Sequence, residues 1–383
     1  TGVQTCALPI SKTSYGSSQM NKKLLASAVI AAVAASPAAF AESTVYGKMH
    51  TSIDAADYDN GRDNVTVENR SSRLGFKGSE DLGNGLKAIY QIEFGIRSDG
   101  GQEQVTGDGH TSLRNTFVGL AGDFGTFVVG RHDTPMKMAF YATGNERLGD
   151  SAIDLNRGFD NDQSGLNPIG VFQEFRANNA IAYVSPNFSG FTVAAAMVPG
   201  EQSGNEETVG TAITKNDLDG VADHYSFGAM YKGNGLRVGA GYEMLAVEPN
   251  ASARTQAEID ASDDQKTWQA GASYTMNNFS FGAQYQDTEN ALFLEDADYT
   301  AWAVTGKATF GNNAISLVYT NSELPPEGPN NDVDTEGWGI AAEHNFSKRT
   351  KVYAAYAANE VDPEDNDAEA DQDMFSLGMI HNF

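Results

Sequence analysis

The sequence predicts an all-β fold, a sixteen-stranded antiparallel transmembrane β-barrel, and three observations predict it. Hydrophobicity alternates with period two in segment after segment from Thr44 to Phe383. Tight turn sequences and long acidic stretches take turns in separating those segments. The segments number sixteen, and an even count lets an up-and-down barrel close its first strand on its last antiparallel.

In order, the strands fall near 44–54, 69–81, 85–97, 112–122, 125–131, 176–185, 190–198, 223–232, 236–245, 267–276, 279–287, 299–310, 314–322, 337–346, 350–359 and 374–383. Side chains alternate faces along a strand, so each segment has one apolar and one small or polar face. Leu236, Val238, Ala240 and Tyr242 oppose Arg237, Gly239, Gly241 and Glu243. Phe279, Phe281, Ala283 and Tyr285 oppose Ser280, Gly282, Gln284 and Gln286, and helical spacing does not fit. Short connections such as Asp81-Leu-Gly-Asn-Gly85, Lys232-Gly-Asn-Gly235 and Gly311-Asn-Asn313 supply the positive φ of hairpin turns. The long connections are acidic. Short turns on one rim and long loops on the other form the plan of an outer-membrane barrel, with periplasmic turns and extracellular loops. About sixteen strands enclose a lumen wide enough for water. Aromatics near strand ends, among them Tyr285, Phe310, Tyr319, Phe346 and Phe383, suit the two membrane interfaces.

The two ends of the chain agree. Met20-Asn-Lys-Lys23, an apolar run from Leu24 to Ala35 and Ala39-Phe-Ala41 read as a secretory signal peptide over 20–41. The mature barrel is then 42–383, and residues 1–19 are an extraneous upstream segment. The single cysteine, Cys6, lies in that segment, so the barrel has no disulfide. Without residues 1–41 the chain keeps 22 basic and 51 acidic residues, a formal charge of −29. Nucleic acid as a partner would need the opposite sign. No run of about 18 apolar residues follows the leader, so no membrane helix is expected. At the C-terminus Phe375, Leu377, Met379, His381 and Phe383 share one parity. This terminal strand resembles the signal by which the outer-membrane assembly machinery recognises its substrates.

Val45-Tyr-Gly-Lys48, the stretch from Ser72 to Lys87 that opens Ser-Arg-Leu-Gly-Phe-Lys-Gly, and the stretch from Arg114 to Arg131 resemble the general diffusion porins of Gram-negative bacteria. The resemblance runs over the whole mature chain. It implies a homotrimer in the cell outer membrane, in contact with lipid and lipopolysaccharide, that passes ions and small hydrophilic solutes. It also implies a third long loop folded into the lumen. Independently, some forty residues with little strand character separate Arg131 from Arg176, and so long a loop is usually functional. Its acids Glu146, Asp150 and Asp154 are candidates to face the lumen.

A basic wall is expected opposite. Lys48 falls on the lumen parity of the first strand, and Arg73 opposes Leu74 and Phe76 in the second. Arg114 lies on the fourth strand, where Val118 and Leu120 then point inward and break the pattern. An arginine facing lipid at midplane costs about 2–4 kcal/mol, which favours the lumen. These positions match the basic wall of the family, as does Arg176, and Arg131 at the end of the fifth strand is counted with them. Charge at the waist sets selectivity, while the acid surplus acts through the vestibule and suggests a weak cation preference.

Other classes fit less well. An enzyme needs a nucleophile, a base and an orienting group held together, and the six histidines are scattered and show no metal-ligand spacing. Neither a metal nor a cofactor is expected. A substrate-specific channel would show an aromatic slide, but the aromatics lie mostly on the lipid parity. A soluble β-sandwich would not need lipid-facing alternation on every strand.

Overall fold

The structure, a computed structural model, describes residues 42–58, 63–99, 111–156, 168–200, 207–209, 212–214, 221–246, 263–324, 333–363 and 371–383. The leader expected at 20–41 and the upstream segment 1–19 lie outside them.

Sixteen strands form the wall. They are β1 (Glu42–Tyr58), β2 in two pieces (Asn64–Asn69 and Arg73–Gly83), β3 (Leu86–Ile96), β4 (Thr111–Gly122), β5 (Gly125–Asp133), β6 (Arg176–Val184), β7 (Phe191–Val198) and β8 (His224–Gly233). The second half comprises β9 (Leu236–Leu245), β10 (Gln265–Met276), β11 (Phe279–Glu289), β12 (Tyr299–Phe310), β13 (Asn313–Leu324), β14 (Val333–Asn345), β15 (Thr350–Pro363) and β16 (Gln372–Asn382). Neighbours pair antiparallel, and β1 completes the ring by pairing with β2 (Lys48 opposite Arg73) and with β16 (Met49 opposite His381). Phe383 seals the seam: its backbone N–H donates to Gly47 O at 3.1 Å, and its carbonyl accepts from Gly47 N at 3.0 Å.

The hairpin turns carry the expected chemistry. Asn84–Gly85 and Asn234–Gly235 both take positive φ, the geometry of a two-residue turn that matches strand twist. Several strands run further than the alternation suggested. β2 begins at Asn64, β14 begins at Val333, and β15 continues to Pro363. The added ends of β14 and β15 carry Asp and Glu, which reads as loop. Strands that rise beyond an apolar belt face water on both sides, so polar residues fit there.

β2 is interrupted at Arg70-Ser71-Ser72, where Ser71 takes φ 54°. The break turns Arg70 toward β1, where it donates to Asp54 at 2.5 Å and to Ser52 Oγ at 2.9 Å. All three are buried, so the ion pair satisfies a charge the interior could not otherwise hold.

The outer face is apolar. Phe281, Leu317, Trp338 and Ile340 are all exposed on it. An apolar surface this continuous is unusual on a soluble protein and natural against hydrocarbon. The inner face carries Gln269, Gln284, Gln286, Ser316 and Thr320, which are nevertheless buried. The third long loop covers Gln269, Gln284 and Gln286, bonding to each through Met136, Asn145 and Gln173.

Candidate functional site: the waist of the barrel

The loop between β5 and β6 enters the lumen through one helix, α1 (Pro135–Thr143). Thr134 caps it, accepting from Lys137 N at 3.3 Å, Pro135 opens the first turn, and Gly144 closes it with φ 70°. The helix lies on the inner wall of β8, β9 and β10. Met136 N donates to Ser226 Oγ at 3.0 Å, and Gln269 Nε2 donates to Met136 O at 2.7 Å. Only a bare backbone allows this approach. A Cβ at Gly239 would collide with the Ala139 carbonyl, and one at Gly241 would come within 2.7 Å of Met136 Cα.

Beyond the helix the loop continues along the same side of the wall. Asn145 Nδ2 donates to the Ala283 carbonyl at 2.7 Å, over Gly282. Arg147 reaches Thr305 Oγ1 and Ser280 Oγ, each at 2.9 Å. Ile153 and Ile169 rest above Gly339 and Gly337 of β14. Phe140, Leu148, Ile153, Leu155 and Phe172 then form a hydrophobic core with Ala301, Ala303, Ala341, Ala355 and Ala357 of the wall. Burial of this kind contributes about 25 cal/mol per Å² and fixes the loop in place.

The far side of the lumen stays bare, and there the loop meets charge. Asp150 Oδ2 accepts from Lys48 Nζ at 2.5 Å, bridging loop and β1. Burial alone would raise the Asp150 carboxyl, but Lys48 and Arg73 hold it below the ordinary carboxylate range. Arg73 stands opposite Lys48 in the β1–β2 register. Next around the wall, Arg114 Nε donates to Glu93 Oε1 at 2.7 Å, and Tyr46 donates to Glu93 Oε2 at 2.9 Å. Arg176 bridges Asp133 at 2.8 Å and Asn115 Oδ1 at 2.8 Å. Lys137 of α1 sits between Asp133 (3.6 Å) and Glu174 (3.4 Å). Burial pushes Glu174 up to about 7, against the opposing pull of Lys137 and the Tyr141 hydroxyl.

The expected break in β4 has a physical cause. Ile92 pairs with Thr116 and Phe94 with Leu113, so Arg114 and Asn115 together oppose the single residue Glu93. This β-bulge turns both side chains inward and resets the alternation. Val118 (62% exposed) and Leu120 therefore face outward, as does Leu113, and the inward placement expected for the first two is corrected.

The candidate basic residues separate into two groups. Lys48, Arg73, Arg114 and Arg176 share the bare inner wall. Arg131 does not join them. It pairs with Thr116 and shares the parity of Phe127 and Val129, both outward, and its guanidinium donates to Asn178 at a second bulge. The parity of β5 runs unbroken up to that bulge, which is why Arg131 ends on the other face. Among the loop acids, Asp150 alone meets the wall. Glu146 accepts from Leu155 N at 3.1 Å, and Asp154 accepts from Asn156 N at 2.8 Å and from Asp150 N. Burial raises both carboxyls, Glu146 further, and each is turned to the loop's own backbone.

Sequence reasoning missed Glu93, Asp133, Lys137 and Glu174. Glu93 had a signal: it is a mid-strand acid on the parity of Gln91 and Gly95, opposite Ile92. The other three stand near the ends of the loop, where no period marks a face.

The terminal residues Phe375, Leu377, Met379 and Phe383 are exposed on the outer face. His381 is on it too, with Nδ1 2.9 Å from Thr350 Oγ1.

A family model described as Gram-negative porin matches residues 26–364. Outer membrane porin protein 32 of Delftia acidovorans is 32% identical over 350 residues, covering 88% of this chain and 89% of that protein. Among solved structures, an anion-selective porin from Comamonas acidovorans superposes with a TM-score of 0.62 at 22% identity, covering 90% of this chain and all of that one. In vitro folded OmpT of Vibrio cholerae, in its trimer form, gives 0.59 at 16% identity, over 90% of this chain and 99% of that one.

Proposed function

The chain belongs to the Gram-negative porin family and is an outer-membrane diffusion channel, and from that premise we propose how its waist selects what passes. It is a channel for ions and small hydrophilic solutes, not an enzyme. Lys48, Arg73, Arg114 and Arg176 form the selective wall, and Asp150 is the loop acid opposite them. The observation that carries this reading is the Lys48–Asp150 bridge, which draws the loop to the wall beside Arg73.

The balance of charge at that point leans cationic. Asp150, Glu93 and Asp133 each lie within 2.8 Å of a basic group and are neutralised locally. Arg73 has no carboxylate at ion-pair distance among the described residues. The waist therefore favours anions, and the large acidic surplus of the chain acts only in the outer vestibule. The weak cation preference suggested by total charge gives way to this local count.

We infer further that the chain assembles as a homotrimer, as the trimer form of OmpT suggests. Residues 20–41 act as its export leader, and the Phe375–Phe383 face serves the assembly machinery. Reconstituting residues 42–383 in a planar bilayer tests the whole reading. Ohmic openings in groups of three are expected, and a folded, membrane-inserted protein without conductance would contradict it.

A further inference from the structure

Toward the short-turn rim, beneath the loop, the inner wall changes character. Arg237 of β9, Lys307 of β12 and Lys351 of β15 lie near the short-turn ends of their strands, on the parity of Gly239, Thr305 and Tyr353. The loop sends Arg147 into the same space. Its two contacts, to the Thr305 and Ser280 hydroxyls, are neutral, and its Nη2 is buried without any acceptor. The Arg237 guanidinium lies alongside, with Nη1 2.8 Å from where a Cβ on Gly144 would stand. Lys307 Nζ is 3.4 Å from the Arg147 carbonyl oxygen.

The neighbouring carboxylate is already occupied. Glu343 accepts from both Lys307 and Lys351, the latter at 2.8 Å. Arg237 has no carboxylate at ion-pair distance among the described residues. Burial brings Arg147 down to about 10; the Glu146 charge opposes it, and Arg237 adds a smaller downward push. Two guanidinium groups thus lie close together with no carboxylate at ion-pair distance among the described residues, an arrangement that like-charge repulsion disfavours. A planar guanidinium binds a carboxylate or phosphate through two parallel hydrogen bonds.

We propose that this cluster is a binding subsite for a small oxyanion, seated between Arg147 and Arg237 with Lys307 at its edge. The ligand class is inorganic phosphate or a small carboxylate, entering from the short-turn mouth. The residues of the subsite are distinct from those of the Lys48–Asp150 bridge. The inference rests on the reading of the barrel as an open channel.

The test uses pores of residues 42–383 in a planar bilayer, in constant chloride, with inorganic phosphate added to one side and then the other. Phosphate should reduce chloride conductance in a saturable way, and more strongly from one side. In Arg237→Gln the half-blocking concentration should rise about tenfold or more, the loss of one charge-assisted hydrogen bond. Arg237→Lys should restore part of it. Retained resistance to SDS before boiling would show that each variant is folded. Phosphate block absent in the parent pore, or unchanged in Arg237→Gln, would overturn the subsite while chloride conductance persists. Loss of chloride conductance in the parent pore would instead overturn the channel reading.

Discussion

The two halves of the barrel wall differ in what they present to the lumen. From β8 to β15 the inward positions beneath the loop include many small residues: Gly228, Gly239, Gly241, Gly282, Ala301, Ala303, Gly337, Gly339, Ala341 and Ala355. From β1 to β6 they are charged: Lys48, Arg73, Lys77, Glu93, Arg114 and Arg176. The first half is a bed for the loop and the second is the working surface. The loop narrows the lumen because one wall lets its backbone approach closely, and it stops at the other because charge meets charge at Asp150. Position and selectivity are thus encoded on opposite walls by different chemistry.

The largest effect should come from spoiling the bed. Gly239→Leu places a side chain where the Ala139 carbonyl lies, and overpacking costs about 1–3 kcal/mol. The loop should lift from β9, so single-channel conductance should change by roughly twofold or more. Migration on unboiled gels should remain that of a folded barrel. Conductance equal to the parent's would mean that the small residues do not hold the loop.

Next comes the working surface. Arg73→Ser removes the cation without a carboxylate partner, so the reversal potential in a salt gradient should move toward cations with little change in conductance. Asp150→Asn should do the opposite. It frees Lys48 from its partner at 2.5 Å and leaves both Lys48 and Arg73 facing the lumen, which strengthens anion preference. If both substitutions moved the reversal potential the same way, the division between wall and loop would be wrong.

The smallest effect is a pH dependence. Glu174 titrates near 7 because of burial, so it is charged above that value and neutral below it. As pH falls from 8 to 6 the waist should lose part of a negative charge and become more anion-selective, and Glu174→Gln should flatten that trend. Stability follows the same group. Its pKa is raised above the usual value of 4.5, so between those values the folded chain holds a proton that the unfolded chain releases. Its contribution to stability therefore falls as pH rises through that window. A reversal potential with the same pH trend in Glu174→Gln would assign the titration elsewhere.

Much of this is legible in the sequence, for reasons that can be stated residue by residue. Period two is a local property, so the parity of Lys48, Arg73 and the outward Trp338 and Ile340 follows from their neighbours alone. Arg114 is different: its direction depends on a bulge against Glu93, which exists only once β3 and β4 are paired. Arg131 is readable from its neighbours, since it shares the parity of the outward Phe127 and Val129. The glycines of β9 and β11 are visible as small residues on the lumen parity. Their role as a bed needs the loop, and the loop carries no period. Asp150 cannot be told from Glu146 and Asp154 by sequence, because backbone N–H groups claim the last two only after the loop has folded.

The central claim is that charge on the bare wall, and not the formal charge of −29 carried by residues 42–383, decides which ions pass. The reversal potential of the wild-type 42–383 pore in a potassium chloride gradient tests it most directly. The account predicts a sign that favours chloride, shifted toward potassium in Arg73→Ser. A wild-type preference for potassium that Arg73→Ser leaves unchanged would contradict it.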